Sequence, residues 1–496
     1  MDVSIASSTD PEDVPGSLRE LLTIAIPLVI SSGSLSLMHV VDRVMLTWHS
    51  PAALAASTPG GMLHWTLMSL PFGMVAYVNT FVAQYDGAQR RDRVAAAVWQ
   101  GVWMAILSGL ILALATPWTC QLTALFGHAP DVQSLESQYF SVLSVGSLPA
   151  LTSSALSAFF SGRGRTVVLM VVNAVTAVAN GLFNWLLIFG WGNWAGLGIQ
   201  GAAWGTIIAQ LLGTLLYLFW MRREGRRHDY PFAAERRTDR ALLLRMLRYG
   251  FPNGTQYVID VGAYLLLLVF IGRIGSRELA ATNLAFNLNS LAFIPLFGIG
   301  TAVSTLVGRR IGEGRSHLAI RSTWLAFGLA AAYMGLWALI YLLGQDQILA
   351  PFAMYSDPVA FAELRPVVQK LLIYVVLYSL FDAMAVIFGA AIRGAGDTRF
   401  SLFYTAAVLW SCMVLPTWWI ARSGLGLFAC WNVLILQFFI LGTGFLLRFR
   451  QGRWLEMHVI EPVPAGLTLP AVVEEPSTAV VFGSVGDATA LEENSR

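Results

Sequence analysis

Charged side chains are scarce in this chain. Asp, Glu, Lys and Arg together make up 12% of its 496 residues, against 56% hydrophobic residues and a mean hydropathy of +0.63. That composition excludes a soluble globular protein and points to a chain that crosses a membrane many times. A net charge of +2 is too near balance to suggest a nucleic-acid partner. Cysteine is rare as well: Cys120, Cys412 and Cys430 lie in or beside apolar runs, an odd set with neither a disulfide framework nor zinc-ligand spacing. Signatures of catalysis and nucleotide binding are also missing. GRGRT at 162–166 and RGAGDTR at 393–399 are glycine-rich, but they lack the Lys and Ser/Thr spacing of a phosphate-binding loop and follow no strand, while H-E-x-x-H and G-x-S-x-G are absent. These absences argue against an enzyme, an ATP site and any organic cofactor, so energy for transport would have to come from an ion gradient. Residues 1–17 carry Asp2, Asp10, Glu12 and Asp13 with no basic stretch before a short apolar core. No cleaved secretory signal is expected, and the first span should stay in the mature protein.

What the chain does have is long apolar runs. Twelve of them reach the roughly 20 residues that a helix needs to span the hydrocarbon core, at 19–47, 54–84, 95–116, 137–160, 167–190, 199–221, 243–271, 279–308, 321–344, 367–392, 400–420 and 427–447. Backbone groups in lipid must be satisfied within the segment, and these runs lack the two-residue alternation of a barrel strand, so an all-α polytopic membrane protein is expected. Basic residues in the loops and ends divide as 24 in one alternate set and six in the other. That asymmetry puts both termini, the 222–248 loop, Arg393 and Arg399 on the cytoplasmic side, and for a bacterial chain the membrane would be the inner one.

Internal repetition divides the chain in two. At an offset of 225, Pro27 aligns with Pro252, Phe72-Gly73 with Phe297-Gly298, Thr80 with Thr305 and Gly87 with Gly312; at 232, Gly162, Gly164 and Thr166 align with Gly394, Gly396 and Thr398. The expected organisation is an N-terminal segment 1–18, a six-helix half 19–221, a basic linker 222–242, a second six-helix half 243–447 and a tail 448–496. From about Glu461 the tail is rich in Pro, Ala, Val, Glu and Ser without helical period, and it is read as disordered. Six is even, so the halves are parallel repeats about an axis along the membrane normal, with a cavity between them.

The motifs that carry a family resemblance are spread over all twelve spans. They are Val41-Asp42, Gly73 to Gly87 with VAQYDGA at its end, GRGRT followed by Asn180 and Asn184, GLGIQGAAWGT at 196–206, Pro252 followed by Asp260, IGTAVSTLVGRRIGEG at 299–314, and Phe381-Asp382-Ala383 followed by RGAGDTR. With these the chain resembles the multidrug and toxic compound extrusion (MATE) transporters, in their bacterial NorM-like branch. The resemblance implies a secondary active antiporter that exports small organic, often cationic, compounds in exchange for Na⁺ or H⁺, working as a monomer with membrane lipid around it. It also implies cation coupling at Asp260 and Asp382 and a further acid at Asp42. Two positions depart from the family: Asp260 stands where Glu is common, which shortens the reach to an ion, and Asn184 stands where some members carry Asp, which removes a proton carrier.

Charge at mid-membrane costs roughly 2.5–3.5 kcal/mol on the gentlest scale, so each intramembrane acid needs a partner or a function. Asp260 has Gln256 and Tyr264 one turn away on either side, and Asp382 has Tyr378 one turn before it. Asn283, Asn287 and Ser290 share one face of the eighth span. Together these would offer oxygen ligands suited to a hard cation such as Na⁺, and either Na⁺ or a shared proton would offset the cost of burying two carboxylates. The plain alternative is that each acid bonds a neighbouring helix as packing glue. Asp42, with His39 three residues earlier, could join Asn180 and Asn184 in a polar site of the N-terminal half, or be an interfacial acid; Arg43, adjacent on the helix, should point elsewhere. Two rival functions remain. A flippase for a lipid-linked precursor should line its cavity with several basic residues, and a channel should be more symmetric in its carboxylates than this chain.

Overall fold

The computed structural model describes residues 15–354 and 358–461. Twelve helices in it are long and apolar enough to cross a membrane. In chain order they are α1 (Leu18–His49), α2 (Pro51–Gly87), α3 (Arg91–Ala124), α4 (Pro130–Ser161), α5 (Thr166–Phe189), α6 (Ile199–Arg227), α7 (Arg240–Ile274), α8 (Ser276–Gly312), α9 (Ser316–Leu343), α10 (Phe361–Ala395), α11 (Thr398–Ser423) and α12 (Leu427–Arg450). All twelve apolar runs become helices, each close to its expected bounds.

Local chemistry sets several of the ends. Ser17 caps α1 by accepting from the Glu20 N–H at 3.1 Å, while the Glu20 carboxylate accepts from the Gly16 N–H at 2.7 Å, a variant of the capping box. Asp239 caps α7 by accepting from the Leu242 N–H at 3.0 Å. Pro27 and Pro252 sit inside helices that continue past them. A two-stranded antiparallel hairpin, Gly190–Trp191 with Trp194–Ala195, joins α5 to α6.

Packing repeats between the halves. In the first half α1 packs on α5, α2 on α4, α3 on α4, α4 on α6 and α5 on α6; the second half repeats each pairing six helices later. Between the halves, α2 packs on α7 just as α8 packs on α1. These seams run through glycine: a Cβ on Gly73 would come within 2.7 Å of the Gly254 Cα, and one on Gly298 within 3.0 Å of the Val29 Cα. At the end of the bundle that holds most of the arginines, α2 meets α8 reciprocally. Gly87 lies against the Arg309 carbonyl and Gly312 against the Gln84 carbonyl, with no room for a side chain at either glycine. These seams make the fold two six-helix repeats about a common axis, closed by backbone contact at the arginine-rich end.

Two boundaries differ from expectation. Residues 222–227 continue α6 and residues 240–242 begin α7, so the linker shortens to 228–239, with a single 3₁₀ turn at Ala234–Arg236. The tail 448–496 is ordered as far as 461, where the stretch read as disordered begins. Trp454 is fully buried and donates to the Phe449 carbonyl at 2.8 Å, and the Val459 N–H donates to the side-chain oxygen of Gln84 at 3.0 Å. A buried Trp and a backbone bond to α2 hold this part in place. Residues 462–496 and 1–14 lie outside the described residues.

Candidate functional site

In the N-terminal half, α1, α5 and α6 bring a polar cluster together. Asp42 is 5% exposed, and its Oδ1 accepts from the Asn184 side-chain amide. The same amide donates to Asn180 Oδ1 at 3.2 Å, and Asn180 donates to Thr206 Oγ1 at 3.1 Å. Thr206 Oγ1 also stands 3.5 Å from Asp42 Oδ2. Asn180 and Asn184 are fully buried, so the amides replace water around the carboxylate. The expected Asp42, Asn180 and Asn184 grouping therefore forms. Thr206 was missed, although Gly201, Gly205, Ala209 and Gly213 mark the face of α6 that packs closely on its neighbours. Asn173, on the same side of α5, donates to Ser31 Oγ at 2.6 Å and accepts from the Tyr217 hydroxyl at 3.0 Å.

This cluster opens on a cavity of about 760 Å³ between the halves. Its wall includes Asp42, His39, Tyr139, Asn173 and Gln210 on one side and Tyr257, Phe297 and Thr301 on the other. His39 lines the cavity without a recorded bond to Asp42, whereas His64, which sequence reasoning missed, is held by Ser147 Oγ at 2.9 Å. Arg43, expected to point away from Asp42, also reaches this wall, because its long stem can carry the guanidinium around the helix. Arg393, near the end of α10 that is expected at the cytoplasmic edge, has its side chain in the cavity wall.

In the C-terminal half the structure groups Asp260, Tyr264, Tyr378 and Asp382. Asp382 is 5% and Tyr378 1% exposed, and Asp260 and Tyr264 are half-buried. Tyr264 lies within electrostatic reach of both carboxylates and Tyr378 within reach of Asp382. Tyr378 stacks on Phe438 with centroids 4.4 Å apart, and Tyr264 meets Phe286 edge-on at 6.4 Å, which fixes both phenols. Among the described residues neither carboxylate has a hydrogen bond or ion pair, and neither lines the 760 Å³ cavity. Asn283 and Asn287 do not join them. Both are exposed, because α8 turns Ala281, Thr282, Ala285 and Leu288 inward and the Asn stripe occupies another face. No group of three or more His, Cys, Asp or Glu suited to a metal occurs among the described residues.

Known proteins resemble the chain throughout its spans. A model of the MatE family matches residues 27–186 and 252–419, one segment in each half. The chain is 30% identical over 412 residues to a probable multidrug resistance protein NorM of Pseudomonas putida, covering 82% of this chain and 88% of that one. It is 26% identical over 457 residues to the protein of the same name in Thermotoga maritima, covering 90% and 96%. A solved outward-facing multidrug resistance transporter of the MATE family superposes with a TM-score of 0.80 at 18% identity, covering 90% of this chain and 97% of that one. The eukaryotic MATE transporter AtDTX14 does so at 0.78 and 16%, covering 88% and 96%.

Proposed function

The chain belongs to the MatE family of membrane transporters, and from that premise we propose that it is a multidrug efflux antiporter whose coupling ion, Na⁺ or H⁺, binds at Asp260 and Asp382. The observation that carries this reading is the pair of carboxylates in the C-terminal half, on separate helices, with no hydrogen-bond or ion-pair partner among the described residues. Leaving buried acids uncompensated is costly, and a cation or proton shared by the pair removes that cost.

Substrate would enter the 760 Å³ cavity, whose wall mixes aromatic rings with Asp42, Asn173 and Gln210. Apolar surface holds a lipophilic drug, and Asp42 supplies a negative group for a cationic one. A lipid-linked pyrophosphate would need several basic side chains, and the described wall has two arginines, Arg43 and Arg393. The arginine-rich end faces the cytoplasm of a bacterial inner membrane in this reading, with both termini on that side.

The test is transport by the purified chain in liposomes with Na⁺ and H⁺ gradients imposed separately. One gradient should drive substrate uptake into vesicles, and Asp382→Asn should abolish that drive while the protein stays folded. Full ion-driven transport in the Asn variant would place coupling elsewhere.

A further inference from the structure

We propose that Arg393 is a tethered cation that moves to Asp260 when the C-terminal ion site empties, and so links that site to the cavity wall. The proposal rests on the coupling role given above to Asp260.

Arg393 stands two residues from the end of α10, where a long basic side chain would ordinarily reach toward the membrane surface. Here it folds the other way. A Cβ on Gly389, one turn earlier, would come within 3.2 Å of the guanidinium, so the side chain lies back along its own helix in the space that this glycine leaves. The backbone beneath it is held in place, since the Tyr77 hydroxyl of α2 donates to the Arg393 carbonyl at 2.8 Å. The guanidinium is far less committed. Of its five donors, one makes a hydrogen bond among the described residues, a long one of 3.4 Å to Ser401 Oγ, and no carboxylate of those residues lies within ion-pair distance.

Ser401 leads on toward the acid. Its hydroxyl donates to Gln256 Oε1 at 2.8 Å, and the Gln256 amide stands 3.4 Å from Thr405 Oγ1. Gln256 is four residues before Asp260 on α7, just over one helical turn or about 6 Å along the axis. The guanidinium is thus linked through one hydroxyl to the side chain one turn before a half-buried carboxylate that has no hydrogen bond or ion pair among the described residues. Each group also registers the other's charge. Opposite charges in a partly buried setting attract, and a long side chain bound by one weak hydrogen bond is free to respond.

Two placements follow. With the coupling ion at Asp260 and Asp382, its positive charge offsets part of the carboxylates' pull, and Arg393 stays on Ser401, in the wall of the cavity. When the ion leaves, Arg393 swings to Asp260, neutralises it for the return step and withdraws from the wall beside Tyr257, Val386 and Ala390. Ion and substrate then sense each other through a positioning residue, although the two sites share no lining side chain.

A double-mutant cycle on the purified full-length chain tests this, read as thermal melting in Na⁺-free buffer. Arg393→Gln and Asp260→Asn should each lower the melting temperature, and the double variant should melt within about 1 °C of the lower single one, because either change removes the same pair. Arg393→Lys should keep part of the coupling, and it serves as the partner variant if Arg393→Gln does not fold. Additive losses in both cycles would overturn the proposal. Its failure differs from failure of the coupling reading: Asp260→Asn that still supports ion-driven transport defeats the reading, whereas Asp260→Asn that loses transport while the melting losses add defeats only the role of Arg393.

Discussion

The side-chain oxygen of Gln84 accepts a 3.0 Å hydrogen bond from the backbone N–H of Val459, joining α2 of the first half to the segment that follows α12. The same side chain donates from its amide to the carbonyls of Gly394 and Ala395, at 3.1 and 3.2 Å, and is fully buried. One residue of α2 therefore holds two backbone groups of the C-terminal half and one of the segment after α12 at the closed end. Any state open to that side must break these bonds.

Gln84→Leu leaves those backbone groups without partners, at about 1–3 kcal/mol for each buried group. The closed end should loosen. A cysteine placed at Ser304 in the cavity wall, in a chain whose native cysteines are changed to serine, should react with a charged maleimide from the cytoplasmic side only when Leu replaces Gln84. Equal protection in both backgrounds would mean that the glycine contacts at 87 and 312 hold the closure unaided.

Arg163 lies between the rings of Phe159 and Tyr230, 4.6 Å from each centroid, with Asp86 and Glu224 at 3.6 and 3.7 Å. A planar guanidinium can stack on two rings and a tetrahedral ammonium cannot. Arg163→Lys should therefore cost about 1–2 kcal/mol, read as a melting temperature lowered by a few degrees. A variant that melts with the parent would show that charge alone matters there.

Orientation can be checked by labelling. Cysteines introduced near Gly87, Gly225 and Gly314 should react only from the cytoplasm, and one near Ser50 only from outside. The matching outer position, Ser356, lies outside the described residues. A reversed pattern would invert the direction of export.

Asp239 gives a pH dependence at the cytoplasmic end. The N–H of Leu242 holds its carboxylate below the usual range, partial burial opposes this, and Arg93 at 2.9 Å adds to the lowering. Because the folded value is depressed, the stabilisation is fully present above the ordinary aspartate range and is lost as pH falls through the folded value. Asp239→Ala should cost about 0.5–2 kcal/mol at pH 6, the usual loss for a removed cap. The gap in melting temperature from the parent should shrink on acidification toward pH 3, and a gap that stays constant would leave the charge without a role.

Sequence periodicity revealed most of this fold because hydrophobic length is a one-dimensional signal. Twelve runs of apolar residues and a 225-residue offset suffice for twelve helices in two halves. The site was legible only in part. Asp42, Asn180 and Asn184 meet because a polar stripe in an apolar helix has few places to go. Asn283 and Asn287 form an equally regular stripe, yet helical spacing tells which residues share a face and says nothing of which neighbour the face meets. Arg393 escaped for another reason: counting basic residues near a membrane edge treats every arginine as pointing outward, and the turn inward depends on an absent side chain at Gly389. Thr206 is an ordinary residue on a small-residue face until α5 is packed against it.

The ordered segment after α12 limits what can be joined to this chain. With Trp454 sealed against Phe449 and Val459 bonded to Gln84, the last ten or so described residues are working parts of the closure, so the permissive point for an affinity tag or fluorescent reporter lies past Glu461. A fusion made directly after Arg450 would discard the buried tryptophan and the contact with α2, and poor behaviour of such a fusion would reflect the missing segment more than the cargo attached to it.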